Sequence, residues 1–190
     1  MQIIAHRVNT RAELARIPSC FGVEVDLRSR GRRLVLQHGA MKDGEDFSDW
    51  LQGFRHRTLI LNVKEEGLEE RARSMVRTRG ITDFFFLDLS FPSLVRLARS
   101  GEDRLAVRVS EYESVDTALS LAGKAAWVWL DCFTRLPWDR RMPERLAPFK
   151  VCLVSPEVEG HPLSWIPGFK RKLGGFEPAA VCTKRPDLWL

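Results

Sequence analysis

Short apolar runs alternate with amphipathic stretches along the whole chain, and this alternation limits the fold more than any other feature. The runs span residues 2–5, 22–27, 58–63, 83–88, 105–109, 126–130, 150–154 and 179–182. Each has the length of a strand and none the length of a buried helix. Between them, residues 11–17, 47–54, 65–78, 91–99, 112–121, 143–149 and 163–173 read as helices. The stretch 65–78 is acidic at its start and arginine-rich toward its end, which suits the helix dipole. Pro92 and Pro143 fall where a first helical turn tolerates proline. Strands that alternate with helices predict parallel βα units.

Eight such units close naturally into a (β/α)8 TIM barrel. With 190 residues against the ~250 usual for that fold, the barrel is expected to be compact, with short loops and short helices. A doubly wound open sheet is the competing arrangement. Residues 28–38 read as an extra strand after the second run, a hairpin arm turning at Gly31. No internal repeat or linker interrupts the chain, so a single domain over 1–190 is expected.

Composition narrows the function classes. Hydrophobic residues make up 44% of the chain and charged residues 29%, enough apolar material for a sizeable core. No apolar run approaches the ~20 residues of a membrane span, so no stable membrane insertion is expected. The first residues enter a strand without the order of a secretory signal, which points to a cytoplasmic protein. The net charge of +5 describes either a solvated basic surface or affinity for an anion such as a phosphate ester. No long Lys/Arg run or zinc-finger spacing is present, and nucleic acid is not an expected partner. Cys20, Cys132, Cys152 and Cys182 form no metal or redox motif.

The chemistry-bearing residues gather at the ends of the early runs. His6-Arg7 ends the first, and His38 closes the arm. Glu24 and Asp26 stand two apart on the second run, so alternation puts both carboxylates on one face, as a divalent cation requires. Asn62 and Lys64 repeat that spacing on the third, offering a neutral oxygen and a positive charge. Each has a structural reading alone; their succession at consecutive strand ends predicts one site. Arg108, at the end of the fifth run, is a further phosphate-binding candidate, with a salt bridge to Glu111 as the structural alternative. Lys184 is a second possible phosphate contact, and Trp129 a stacking surface.

The chain resembles the glycerophosphodiester phosphodiesterase family as a compact, divergent member, akin to phosphatidylinositol phosphodiesterase-like TIM barrels. The residues that carry the resemblance are Ile3-Ile4-Ala5-His6-Arg7, Gly22-Val23-Glu24-Val25-Asp26, Leu34-Val35-Leu36-Gln37-His38 and Asn62-Val63-Lys64. Leu89-Ser90-Phe91-Pro92 and the segment from Val181 to Pro186 echo it later. The resemblance implies a TIM barrel, a divalent cation (Mg²⁺ or Ca²⁺) and hydrolysis of a small-molecule phosphodiester. It makes His6, His38 and Lys64 catalytic, gives phosphate contacts to Arg7 and Lys64, and assigns metal ligation to Glu24, Asp26 and Asn62.

The pattern has departures. Val8 stands for the family's glycine, Gly39 for an aspartate and Asn62 for a metal-binding glutamate, and the family's insertion after the second strand is missing. The expected third ligand is Asn62 or a strand-end acid among Asp88, Glu111 and Asp131. The departures keep two other readings open: a catalytically altered relative that binds a phosphorylated sugar or a lipid head-group phosphate, and an unrelated (β/α)8 enzyme.

Overall fold

The computed structural model describes residues 1–190. The chain runs through β1 (Gln2–Ala5), α1 (Arg11–Leu14), β2 (Gly22–Arg30), β3 (Arg33–Leu36), β4 (Glu45–Asp46), α2 (Phe47–Gln52), β5 (Leu59–Val63), α3 (Glu69–Thr78) and β6 (Phe84–Leu87). It continues through α4 (Phe91–Arg99), β7 (Ala106–Val109), α5 (Val115–Leu119), β8 (Trp127–Leu130), α6 (Met142–Leu146), β9 (Lys150–Val154), α7 (Ile166–Leu173) and β10 (Ala180–Thr183). Every expected apolar run is a strand, and the result is a mixed α/β protein. Two units divide it: Ala5–Arg96, and Met1–Ile4 with Leu97–Leu190.

In the unit Ala5–Arg96, β2 pairs in parallel with β5, and β5 with β6. The four residues of β6, Phe84-Phe85-Phe86-Leu87, are all buried, as expected of a strand covered on both faces. The expected hairpin arm is present: β3 returns antiparallel along the far end of β2, and β4 pairs with β3. Gly31 makes the turn at φ 58°. Gly44 is required by a close approach, because a Cβ there would lie 2.2 Å from the Leu36 carbonyl oxygen.

Two helices of this unit, α1 and α2, start where side chains satisfy their first N–H groups. Thr10 and Glu13 form a reciprocal capping box on α1, and Asp46 accepts from Ser48 N–H on α2. The sequence places the start of α3 at residue 65, but the helix begins at Glu69. Gly67, at φ 90°, interrupts the helical path, which leaves Glu65 and Glu66 in the preceding turn.

In the other unit the strands lie in the order β1-β10-β9-β8-β7. The pairs β10–β9, β9–β8 and β8–β7 are parallel. Here α5 is shorter than expected because Ser114 caps it by accepting from Asp116 N–H. The stretch 163–173 splits into a 3-10 turn, Leu163–Trp165, followed by α7, which ends on Gly174 in the left-handed conformation. No helix is long and apolar enough to cross a membrane.

Candidate active site

Glu24 and Asp26 alternate along β2 with Val23, Val25 and Leu27. Packing takes the three apolar side chains out of water entirely, and the two carboxylates on the opposite face are 0% and 1% exposed. Asp26 lies level with Asn62 in the β2–β5 ladder. Lys64 directly follows β5 and Asp88 directly follows β6. Lys64 Nζ stands 3.0 Å from Asp88 Oδ2 and 3.5 Å from Asp26 Oδ1.

The arm delivers the exposed imidazole. Gln37 N–H donates to the Asp26 carbonyl at 2.9 Å, and His38 Nδ1 then sits 3.1 Å from Asp26 Oδ1. Arg7 Nη2 stands 3.3 Å from His38 Nε2. A guanidinium has only donors, so Nε2 is the acceptor and Nδ1 carries the hydrogen that Asp26 receives. The buried imidazole, His6, places Nε2 3.8 Å from Glu24 Oε2.

Arg7 holds a left-handed backbone, φ 56°, and Asp88 another at φ 58°. Such a conformation costs a non-glycine residue about 1–2 kcal/mol, and strain of this kind concentrates at functional sites. At Arg7 it turns the main-chain N–H onto Glu24 Oε2 at 2.7 Å, while Arg7 Nε reaches to 3.4 Å of Asp26 Oδ2.

Two residues of this cluster were not singled out as site residues in the sequence. Asn9 donates from Nδ2 to Asp26 Oδ2 at 2.8 Å and accepts the Asp26 N–H at 2.9 Å. Arg28 donates to the His38 carbonyl from Nε and Nη2 at 3.1 and 3.0 Å, and to the Lys64 carbonyl at 3.3 Å. The signals were the Asn-Thr pair straight after His6-Arg7-Val8, and the same-face spacing of positions 24, 26 and 28.

The two carboxylates titrate differently. Burial, and then the charge of Asp26, push Glu24 up to about 7, although Asn62, the Arg7 N–H and Lys64 pull the other way. Burial also pushes Asp26 up, but hydrogen bonds from Asn9 and His38 and the charge of Lys64 outweigh it and hold Asp26 below the usual range.

No group of three or more His, Cys, Asp or Glu side chains could hold a metal ion. The oxygen set here is two carboxylates and an amide. Asn62 Nδ2 donates to Glu24 Oε1 at 2.9 Å, and Asn62 Oδ1 is buried with no hydrogen-bond partner. An orphaned buried carbonyl beside a carboxylate that burial disfavours as an anion matches a hard, oxygen-seeking cation. Next to Lys64 and Asp88 lies a cavity of about 240 Å³, also lined by Glu65, Glu69 and Ser90.

The remaining candidates belong to the other unit. Arg108 pairs with Asp131, and with Glu113 at 3.8 Å, rather than with Glu111. Asp131 further accepts from Trp129 Nε1 at 3.3 Å and from Cys132 N–H at 2.8 Å. Glu111 accepts main-chain N–H groups from Phe133, Thr134 and Arg135, and so cements a loop. Lys184 Nζ donates to the carbonyls of Glu157 and Val158 at 3.3 and 3.1 Å.

Fold and site together define a mixed α/β protein with acids, imidazoles and cations converging past the ends of parallel strands, the usual position of a site in such folds. The fold is that of the glycerophosphodiester phosphodiesterases. The glycerophosphodiester phosphodiesterase of Agrobacterium tumefaciens superposes with a TM-score of 0.71 at 14% identity, over 100% of this chain and 98% of that one. The one from Parabacteroides distasonis superposes with a TM-score of 0.67 at 12% identity, over 98% of this chain and 93% of that one. No family model and no curated protein matches the sequence.

Proposed function

We propose that the chain is a single (β/α)8 domain and a cytoplasmic phosphoric diester hydrolase acting on a small glycerophosphodiester-like substrate. The observation that carries this reading is the pairing of each imidazole with its own buried carboxylate, His38 with Asp26 and His6 with Glu24, in one cluster with Arg7 and Lys64. The shared fold of the two phosphodiesterases supports the same reaction class.

Hydrolysis of a phosphodiester needs a base for the attacking oxygen, an acid for the leaving alkoxide and positive charge on the phosphoryl oxygens. His38 Nε2 carries the lone pair, so His38 is the base, and Asp26 steadies the imidazolium that forms. His6 is the acid, protonating the leaving oxygen. Arg7 and Lys64 neutralise the phosphoryl oxygens. Arg28, through the His38 and Lys64 carbonyls, keeps base and cation at a fixed separation. Glu24, Asp26 and Asn62 would hold a divalent cation, which when bound supplies Lewis-acid polarisation of the phosphoryl group. Arg108, paired with Asp131, is a further candidate contact for a phosphate oxygen.

The test is a phosphodiester panel assayed with Mg²⁺, Ca²⁺ or EDTA, on wild type, His6→Ala and His38→Ala. Turnover that EDTA abolishes and either histidine variant loses supports the reading. Turnover that survives EDTA and both variants removes it. Phosphate-ester binding without turnover on any diester would favour the non-catalytic alternative, to which Asn62 in place of a carboxylate lends its weight.

A further inference from the structure

The face of β2 that carries Glu24 and Asp26 continues outward with Arg28 and Arg30, because every second side chain of a strand shares a face. In the antiparallel arm Arg30 lies directly opposite Arg33, so Arg33 adds a third guanidinium to that face. Like charges directly opposite in a ladder destabilise it, yet this one closes the arm. Glu65 stands 3.9 Å from Arg28, and Asp43 stands 3.5 Å from Arg33. Arg30 makes no ion pair, and residues 29–33 are exposed. Arg28 is anchored to the carbonyls of His38 and Lys64, which ties the base of this basic row to the candidate active site. Arg30 stands four positions beyond Asp26, about 13 Å along a strand.

We propose that this face of the arm is a subsite for a second phosphate group, a monoester carried by the same substrate whose diester lies at the His38–Asp26 cluster. The proposal rests on the phosphodiester reading and refines its substrate class to a diester with an additional phosphate. The Arg30–Arg33 pair, unfavourable when empty, becomes favourable with a dianion between its two guanidiniums, since charge-assisted contacts to phosphate are the strong ones. The arm's position directly after the carboxylates of β2 makes it a reader of the part of the substrate that does not react.

Isothermal titration with inositol 1-phosphate and inositol 1,4-bisphosphate tests this, on wild type and on the double variant Arg30→Gln/Arg33→Gln. The tip is exposed and the variant removes a like-charge pair, so it should unfold at or slightly above the wild-type temperature. The expected result is about tenfold tighter binding of the bisphosphate by wild type, the size of one charge-assisted contact. The double variant should lose that preference and bind the monophosphate as before. Equal affinities in wild type, or a preference that survives in the variant, would overturn the proposal while leaving the phosphodiester reading intact. Lys64→Met examines that reading separately and should weaken both esters; if neither ester binds wild type, both fall. Vesicles of phosphatidylserine and phosphatidylcholine form the last arm. Arginine-dependent vesicle binding without a bisphosphate preference would make the arm a surface anchor and overturn the subsite.

Discussion

Asp26 lies on β2 and His38 two residues past the end of β3, its antiparallel partner in the arm, and their side chains meet with Oδ1 and Nδ1 3.1 Å apart. The contact is set by the main chain, since Gln37 N–H donates to the Asp26 carbonyl one residue earlier. His38→Gln should retain the fold, because the His38 side chain is half exposed, and lower kcat by ~10²- to 10⁴-fold with little change in KM. Kinetics on whichever diester of the panel turns over would check this, and an unchanged kcat would remove His38 as the base.

Glu24 couples stability to pH. Its folded pKa of about 7 lies above the ordinary 4.5, so between those values the folded protein keeps a proton that the unfolded chain has released. The stability present below pH 4.5 is therefore lost as pH rises toward 7, by on the order of 2–3 kcal/mol. In EDTA-containing buffer, Glu24→Gln should flatten this decline and raise the melting temperature at pH 8 relative to wild type. Melting curves from pH 4.5 to 8 that stay parallel for the two proteins would refute it.

Asn62 is the neutral member of the oxygen set. Asn62→Asp adds a third carboxylate beside Glu24 and Asp26, so the variant should bind Ca²⁺ or Mn²⁺ at least about tenfold more tightly, because affinity at such sites follows the number of charged ligands. The same change should lower the melting temperature in EDTA, where a third buried anion has no counter-ion. Calorimetric titration and paired melts would check both, and an unaltered affinity would exclude Asn62 from the ligand set.

Glu111 works as a staple for the loop that follows β8. Burial pushes its carboxyl up, but hydrogen bonds from the Thr134 side chain and from the N–H groups of Thr134 and Arg135 outweigh burial and bring it down to about 2. Its contribution is present above pH 4.5 and disappears as pH falls through about 2. Glu111→Ala should cost about 1–2 kcal/mol at pH 7, from the hydrogen bonds removed, and nothing at the acid end. Denaturant titrations at pH 7 and at the lowest pH the fold tolerates would reveal the difference.

Gly44 gives a purely steric prediction. A methyl group there collides with the Leu36 carbonyl, so Gly44→Ala should destabilise by about 1–3 kcal/mol, the range of overpacking. Leu36 precedes Gln37 and His38, so the displaced arm should also reduce turnover. A melting temperature equal to wild type would show that the loop shifts without cost.

The strands were readable in the amino-acid order because burial on both faces forces unbroken apolar runs, and all eight expected runs became strands. The arm was readable as well, since a glycine between two extended stretches is a strong local turn signal. That His6, Arg7, Glu24, Asp26, His38, Asn62 and Lys64 lie near one another was legible because alternation puts Glu24 and Asp26 on one face and the others fall on or just past neighbouring strands. The roles expected of them came from the family resemblance. Tertiary structure decided the partners. Local sequence does not encode that Asp26 would accept from Asn9 and His38 at once, or that Arg28 would grip the carbonyls of His38 and Lys64. It also did not encode that Arg108 would turn to Asp131, or that Glu111 would hold a loop. Those choices depend on register between strands far apart in the chain and on which buried charges must be satisfied together. Short-range periodicity reports which face a side chain takes; only the packed molecule sets what it meets there.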